Sequence, residues 1–280
     1  MRAGYGEKIR EYFADLNPLL LVDLGPGVFE SATVDTNIIL LQKQKNQNCT
    51  TAVTLKNISN GSVDINSYVK SNGVKLCNLS KDSWFIGSDA EQRLKEKIER
   101  IGKPLKDWDV NIYRGVLTGL NEAFIIDTDT KERLCKEDPK SAEIIKPILR
   151  GRDIKRYYYE WAGLWLIATF PALKIDIKEY PAIENYLFEF GKDRLEQAGK
   201  VLPDGSKSRK KTGNKWFETQ DQIAYYPEFE KEKIVYSEIV QAPQFYLDTQ
   251  EKFYCEATAL LLSGLHCKCL VGIFNSLFFS

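Results

Sequence analysis

Strand-like apolar runs and helical segments follow one another along this chain without a regular repeat. Leu19–Leu24 and Thr36–Lys43 are apolar runs rich in strand formers, and Thr50–Ile58 alternates like a third strand. We expect the third strand to pair with the second through the polar turn between them. Farther along, the pattern predicts a helical segment at Tyr180–Leu195 and a strand at Lys233–Ile239. This irregular order favours an α+β fold over a repeated βαβ unit.

Two helices are predicted in the N-terminal part of the chain. Tyr5–Leu16 places apolar side chains at helical spacing with charged ones between them, and it ends before a proline. A second helix is expected over Asp89–Ile101. Ser88 is its predicted N-cap, Glu91 completes a capping box, and Gly102 stands just past the end.

A polar stretch with Asn-Gly and serine punctuation, residues 59–83, is predicted to be a connection that passes over the surface. It divides the chain into residues 1–58 and residues 84–280. A chain of 280 residues is long enough for two domains. Phe274–Ser280 stops inside an apolar run, so we expect the chain to be cut from a longer protein.

The formal net charge is zero, so a polyanionic partner must be bound by local clusters of Lys and Arg. Six cysteines occur without a CxxC pair, and the single histidine is His266. Cys267 and Cys269 lie beside it in an apolar stretch, so buried free thiols are expected rather than metal ligands. Neither a signal peptide nor a membrane span is expected, and reduced cysteines fit a cytoplasmic protein.

The glycine turn Asp23–Gly27 mimics the loop that holds S-adenosylmethionine in Rossmann-like methyltransferases. Such a turn opens into a helix, whereas residues 28–38 read as strand and Pro26 removes one amide. Asn17-Pro18 imitates the start of an Asn-Pro-Pro-aromatic motif, but Leu20 leaves a flipped base without a stacking partner. We therefore predict no catalytic, cofactor-binding or metal site within this chain.

The segment Arg114–Phe124 combines two glycines with short polar side chains. The glycines allow close backbone approach or positive φ. Arginine can bridge guanine O6 and N7, and asparagine can pair with adenine N6 and N7, so Arg114, Thr118 and Asn121 are candidates for DNA contact. The alternative is a structural turn in which Asn121 caps a helix and Arg114 forms an internal ion pair. The sequence leaves both interpretations open.

The segment Lys146–Tyr157 has five cations against one acid and runs into three consecutive tyrosines. Nucleic-acid surfaces interleave charge and aromatic groups in this way. Alternatively, the arginines clamp other parts of the same chain by intramolecular bonds, and the tyrosines are core residues whose hydroxyls reach solvent. The candidates for DNA contact here are Arg150, Arg152, Lys155 and Arg156.

Residues 199–216 carry six basic side chains against one acid and show neither a helical nor a strand period. They are expected to form a mobile basic loop whose cations contact phosphate, or else a loop that is merely solvated. Its candidate contacts are Lys207, Arg209, Lys210, Lys211 and Lys215.

In their order along the chain, these segments resemble the TaqI-like C-terminal specificity domain. This is the target-recognition part of adenine-specific DNA methyltransferases and of type IIG/IIS restriction-modification enzymes. The resemblance covers residues 84–280, and residues 28–38 resemble the segment that closes the catalytic sheet just before that domain. The motifs that carry it are Ile101-Gly-Lys-Pro-Leu, Arg114-Gly-x-x-Thr-Gly-x-Asn-x-Ala-Phe, Ile144-x-Lys-Pro-Ile-Leu-Arg-Gly-Arg-Asp-Ile, Tyr180-Pro-x-Ile, Lys215-Trp-Phe, Lys233-Ile-Val-Tyr and Phe274-Asn-Ser.

The resemblance implies the last strands of a Rossmann-like methyltransferase sheet in residues 1–58, a connection at 59–83, and a mixed α/β target-recognition domain, truncated at its C-terminus, at 84–280. It implies sequence-specific recognition of double-stranded DNA that positions an adenine for N6 methylation. The catalytic domain would bind S-adenosylmethionine, and Mg²⁺ if a nuclease is fused, and it is implied to be missing. The chain alone is therefore expected to be inactive. The side chains implied to face DNA are Arg114, Thr118, Asn121, Arg150, Arg152 and Lys155.

Two other functions stay open from the sequence. One is a protein-interaction module with a basic loop, which would bind its partner regardless of nucleic acid. The other is a self-contained S-adenosylmethionine-binding protein that uses the Asp23–Gly27 turn.

Overall fold

The structure is a computed structural model that describes residues 6–25, 27–29, 34–55 and 64–276. Helices are mixed with sheets that contain both parallel and antiparallel pairs, so the predicted α+β class is confirmed. The chain forms two compact units, Met1–Pro104 and Leu105–Ser280. The assignment of residues 1–58 and 84–280 to two parts of a methyltransferase stays a prediction.

The first unit is built on one sheet with the strand order β2, β1, β3, β4. β1 is antiparallel to β2 and parallel to β3, so the prediction that the third strand pairs with the second is wrong. Leu21 and Val22 of β1 belong to separate cores, and burial on both faces is typical of a central strand, whereas β2 has an edge strand's partly exposed pattern. The strands are β1 (Asn17–Gly25), β2 (Thr36–Gln42), β3 (Thr50–Thr54) and β4 (Val74–Leu76).

Three helices accompany this sheet, namely α1 (Glu7–Asp15), α2 (Ile65–Asn72) and α3 (Asp89–Ile101). The first and third were predicted, and both predictions are confirmed. The capping box of α3 is also confirmed, because Ser88 Oγ accepts from the Glu91 N–H at 3.4 Å and Glu91 Oε2 accepts from the Ser88 N–H at 2.7 Å.

Regular structure also occurs inside the predicted connection at residues 59–83. Asp64 caps α2 by accepting from the Asn66 N–H at 3.1 Å, and β4 follows as an edge strand paired with β3. A three-residue strand is too short to show a period, which is why the sequence did not reveal it. Several predicted positions lie outside the described residues, namely 5, 26, 30–33, 56–63 and 277–280.

The second unit contains two four-stranded sheets, in the orders β10, β9, β12, β5 and β11, β7, β8, β6. The first sheet is antiparallel throughout, and in the second β11 runs parallel to β7. The strands are β5 (Val110–Arg114), β6 (Ile125–Ile126), β7 (Ile145–Leu149), β8 (Trp165–Ile167), β9 (Lys233–Ser237), β10 (Phe245–Asp248), β11 (Tyr254–Cys255) and β12 (Ala259–Gly264). The helices are α4 (Asn121–Phe124), α5 (Thr128–Glu137), α6 (Pro181–Phe188), α7 (Lys192–Leu195) and α8 (Cys267–Phe274).

The predicted strand at Lys233–Ile239 is confirmed as β9. The predicted helix at Tyr180–Leu195 is divided into α6 and α7, because Gly191 between them has a φ of 80°. β9 begins with a fully buried charge. Lys233 Nζ lies 2.6 Å from Asp248 Oδ2 and donates to the Phe229 carbonyl at 2.7 Å, so the buried ammonium is satisfied.

The cysteine prediction holds only in part. Cys267 is buried, but Cys269 and His266 are exposed. His266 lies in the turn before α8, with a φ of 66°, and Cys267 and Cys269 lie on different faces of the helix because they are two positions apart. Among the described residues, no cluster of His, Cys, Asp and Glu suits a metal ion. None of the described helices has the length and apolar character needed to cross a membrane.

Candidate nucleic-acid interface

The glycines of Arg114–Phe124 serve two different purposes. Gly115 runs against the segment 255–259, donating to the Ala259 carbonyl at 2.9 Å, and a Cβ on it would overlap the Glu256 carbonyl. Gly119 has a φ of +81°, which glycine adopts without strain. Both properties expected of these glycines, close approach and positive φ, are therefore present.

Thr118 and Asn121 form a small hydrogen-bonded group. The Thr118 hydroxyl is buried and donates to Asn121 Oδ1 at 2.6 Å, and Asn121 Nδ2 donates to Glu256 Oε1 at 2.7 Å. The prediction that Thr118 contacts DNA is corrected, because its side chain has no exposed surface and its hydroxyl is used internally. Asn121 is exposed at the start of α4, so its amide faces solvent with these bonds already made.

The structural alternative for this segment holds in part, since Thr118 and Asn121 are bonded within the protein, but the two specific roles it gives to Asn121 and Arg114 are not seen. The N-cap of α4 is Leu120, and Asn121 makes no capping bond. Arg114 is exposed at the end of β5 and forms no ion pair with any described residue. Arg114 therefore keeps its charge available to an external anion.

The cations of Arg150–Arg156 divide into one unpaired and three bonded side chains. Arg150 clamps Asp153 through Nε and Nη2 at 2.9 and 2.8 Å, and this hydrogen bonding raises the pKa of Arg150. Lys155 lies 3.4 Å from Glu160, and Arg156 Nη2 donates to the Asn275 carbonyl at 2.6 Å. Arg152 is exposed and forms no ion pair with the described part of the chain. The clamp interpretation thus applies to Arg150, while Arg152 is free for a ligand.

The three tyrosines after this segment also divide. Tyr157 and Tyr158 are about half exposed, at 52% and 54%. Tyr159 packs edge-on against Tyr246 and Phe253 in the core. Two rings are therefore placed at the surface, where aromatic stacking on a base is sterically possible.

Arg209 holds the basic loop to the body of the unit. Its guanidinium is buried and donates to the carbonyls of Leu195, Thr118, Trp216 and Glu218 at 2.6 to 3.0 Å. Burial lowers the pKa of Arg209 to about 10. The prediction that this cation contacts phosphate is corrected, because all of these bonds point into the protein.

The rest of residues 199–216 folds back as a short hairpin instead of an irregular loop. Ser208 donates to the Lys200 carbonyl at 2.9 Å, and Val201 and Lys207 form a β-bridge. Lys215 is exposed, with its ammonium 5.4 Å from the centre of the Phe217 ring. The cations of this segment that are exposed and form no ion pair with a described residue are Lys200, Lys207, Lys210, Lys211 and Lys215.

A cleft of about 690 Å³ brings the two signature segments together. Gly151 donates its N–H to Thr258 Oγ1 at 3.0 Å, and Thr258 in turn donates to Glu256 Oε2 at 3.3 Å. Asn121 reaches the same Glu256 from the other segment. The charged side chains of the lining are Arg150, Arg152, Glu122, Glu238 and Glu256.

The charge of this cleft disfavours phosphate as its occupant. Arg150 is neutralised by Asp153, and Glu122 is paired with Arg194. The remaining charges of the lining are one cation, Arg152, and two carboxylates, Glu238 and Glu256. A base edge presents both hydrogen-bond donors and acceptors, whereas a phosphate presents acceptors and negative charge. A cleft that has donors and acceptors but no net positive charge therefore suits a base edge better than a phosphate.

The sequence did not point to residues 237–239, which line the cleft from the end of β9. Ile239 is the most exposed large apolar residue of the described chain, at 89%. The sequence signal that could have indicated this part of the cleft was Glu238 followed by the apolar pair Ile239 and Val240. Single exposed apolar residues are also common in loops without a function, so this signal is weak.

Comparison with known families finds a match for the C-terminal part of this unit. Residues 146–280 match the model of the TaqI-like C-terminal specificity domain. The resemblance inferred from the sequence motifs is confirmed for this part of the chain, which contains Arg150–Arg156 and the loop 199–216.

A search of the solved structures found two restriction-modification proteins that align with most of this chain. One is the type IIL restriction-modification enzyme MmeI in complex with DNA, with 13% identity and a TM-score of 0.50, covering 94% of this chain and 31% of that chain. The other is the type IIG restriction endonuclease BpuSI, with 13% identity and a TM-score of 0.40, covering 99% of this chain and 35% of that chain. This chain therefore spans about a third of the length of each. A search of the curated proteins found no match.

Proposed function

We propose that this chain recognises a specific sequence in double-stranded DNA, as the specificity part of a restriction-modification enzyme. The observation that carries the proposal is the match of residues 146–280 to the TaqI-like C-terminal specificity domain. The MmeI structure, whose fold is similar, is of a restriction-modification enzyme in complex with DNA. Protein interaction independent of nucleic acid has no comparable support.

Exposed cations of the segment Arg114–Phe124 and of the loop 199–216 that form no ion pair with a described residue are the proposed phosphate contacts. Phosphate contacts position a protein on the duplex, and contacts to base edges specify the sequence. We assign the first task to the unpaired cations and the second to the cleft that contains Asn121 and Arg152. The proposed phosphate contacts are Arg114, Lys207, Lys210, Lys211 and Lys215.

We further propose that the recognised site contains the adenine that is methylated at N6. S-adenosylmethionine would be bound by a catalytic domain of the same polypeptide that this chain lacks, and Mg²⁺ would be needed if that polypeptide also cleaves DNA. The resemblance of the sequence motifs to adenine-specific methyltransferases supports this proposal. The site of action is then the bacterial cytoplasm, where such enzymes meet DNA.

The turn after β1 does not fit S-adenosylmethionine, which supports a cofactor site elsewhere. Asp23 Oδ1 already accepts from the Gly25 N–H at 3.1 Å. Among the described residues the next regular element is β2, which pairs antiparallel with β1, whereas a cofactor turn of this kind opens into a helix. Calorimetry should accordingly detect no binding of the cofactor to this chain.

The central test is duplex binding as a function of salt. Each cation that contacts phosphate adds about 0.9 to the slope of log K against log salt, so a K210A/K211A double variant should reduce the slope by about 1.8. Lys136→Ala, which removes an exposed cation from α5, is the matched control and should leave the slope unchanged.

Equal slopes for the parent chain and the double variant would remove the loop from the interface. Absence of binding to any duplex from a random pool, even at low salt, would contradict the proposed function itself.

A further inference from the structure

The β9–β10 hairpin ends in a loop, residues 238–244, whose first residues, Glu238 and Ile239, line the cleft. β10 is an edge strand of its sheet, and the hairpin is closed by the pair Tyr236 and Phe245. β9 is paired on its other side with β12, so the connecting loop, and not the pair of strands, is the part available to DNA. The major groove of B-form DNA is wide enough to admit a two-stranded ribbon, and a loop that joins two adjacent strands is no wider.

The base of this loop is fixed to the Arg150–Asp153 segment. The Glu238 N–H donates to the Thr258 carbonyl at 3.0 Å, and Thr258 Oγ1 accepts from the Gly151 N–H at 3.0 Å. Gly151 packs so closely that an added Cβ would lie 2.6 Å from Ser237 Oγ. The loop is thus held in a defined position relative to Arg152, which lies in the same cleft.

The charge of the loop is unfavourable for binding phosphate. Glu238 is its one charged residue, is exposed, and forms no ion pair with the described residues. An unpaired carboxylate repels a phosphate, but it can accept from the N4 amino group of cytosine. The adjacent Ile239 exposes 89% of its surface, and an apolar side chain beside a base can pack against the methyl group of thymine.

We infer that the loop 238–244 reads base pairs in the major groove, with Glu238 accepting from a cytosine amino group and Ile239 packing against a thymine methyl. The inference rests on the proposed function, since it names which part of the specificity unit discriminates between bases. It distinguishes this loop from the cationic loop 199–216, which supplies charge rather than readout.

The test is selection from a random duplex pool with the parent chain, E238Q and I239A. We expect each variant to lose preference at a single position, by about tenfold or more, while total retained DNA and its salt dependence stay unchanged. The matched controls are Glu132→Gln, an exposed carboxylate on α5, and Leu265→Ala, an apolar residue that is 58% exposed in the turn before α8. Both controls should select the parent's site.

A second measurement isolates the methyl contact. Replacing thymine by uracil at the position lost in I239A should weaken binding of the parent chain but not of I239A. Identical selected sites for the parent chain and both variants would overturn the inference while leaving the proposed function intact. A general loss of affinity with an altered salt slope would also overturn it. If the parent chain retained no duplex at all, the proposed function and this inference would both be wrong.

Discussion

At the scale of single residues, Arg209 shows why a count of cations does not define a DNA surface. Its guanidinium satisfies buried carbonyls at both ends of the basic loop and in the turn at Thr118. The sequence shows that a side chain is charged but not which partner it meets. Arg209 and Lys210 are adjacent in the same basic run, yet the first is buried and the second is exposed.

Arg209→Met should lower the free energy of unfolding by about 3 kcal/mol or more, because it leaves several buried carbonyls without a donor. Lys210→Met should change it by less than about 0.5 kcal/mol, as expected for an exposed position. Urea unfolding of both variants measures the difference. A small effect of Arg209→Met would mean that the guanidinium is not the anchor of the loop.

Gly115 provides a second test at this scale. Gly115→Ala should destabilise the chain by about 1–3 kcal/mol or more, because the new methyl group must displace the backbone at Glu256. Gly213→Ala is the matched control, since a Cβ there has nothing within 4 Å and φ is not positive. Thermal unfolding of the two variants should separate them clearly, and equal melting temperatures would contradict the close approach.

Tyr225 links stability to alkaline pH. Burial raises its pKa to about 12 from an ordinary value of 10.0, and its hydroxyl donates to the Arg114 carbonyl at 2.8 Å. Below the ordinary pKa the phenol is protonated in both states, and above it the unfolded chain loses its proton first. The free energy of unfolding should therefore fall as the pH rises from about 10 to about 12.

Tyr225→Phe should make this fall shallower without abolishing it, because burial also raises the pKa of Tyr246 and Tyr254. Urea unfolding at several alkaline pH values gives the two curves. Superimposable curves would show that Tyr225 titrates alike in the folded and unfolded states.

At the scale of elements, local patterns predicted the helices better than the pairing of strands. The capping box of α3 depends on Ser88 and Glu91, which are three positions apart in the sequence, and it forms as expected. The position of β1 between β2 and β3 depends instead on which faces are buried by distant parts of the chain. Pairing of this kind has no local signal, so the sequence predicted the strands but not their order.

The same contrast predicts a localised effect in α3. Ser88→Ala should reduce the stability of this helix by about 1 kcal/mol, since the Glu91 N–H loses its acceptor. Ser71→Ala, at an exposed position in α2, is the control. Hydrogen exchange should become faster in residues 89–101 for the first variant and stay unchanged there for the second.

At the scale of the whole molecule, a chain with no net charge still has exposed cations in Arg114–Phe124 and in the loop 199–216 that form no ion pair with a described residue. If all five proposed contacts meet phosphate, the slope of log K against log salt should be no steeper than about −4.5. Fluorescence anisotropy with a short labelled duplex, between about 50 and 200 mM salt, measures this slope. A much steeper slope would show that further cations belong to the interface.

The general location of the candidate site followed from motifs in the sequence, since Asn121, Arg150 and Arg152 all line one cleft. The loop 238–244 did not, because its composition is unremarkable and only the fold places it beside Arg152. Charge and glycine spacing can be read from a sequence, whereas neighbours brought together by a sheet cannot.

The buried pair of Lys233 and Asp248 lies at the end of the β9–β10 hairpin opposite the loop. The two strands are thus fastened to each other and to the interior at that end, and the base of the loop is held by a backbone bond from Glu238 to Thr258 that does not depend on the side chains of the loop. Such an arrangement makes the loop an exchangeable cassette. Different loop sequences can be grafted onto this hairpin, or can arise in evolution, without the scaffold having to change with them.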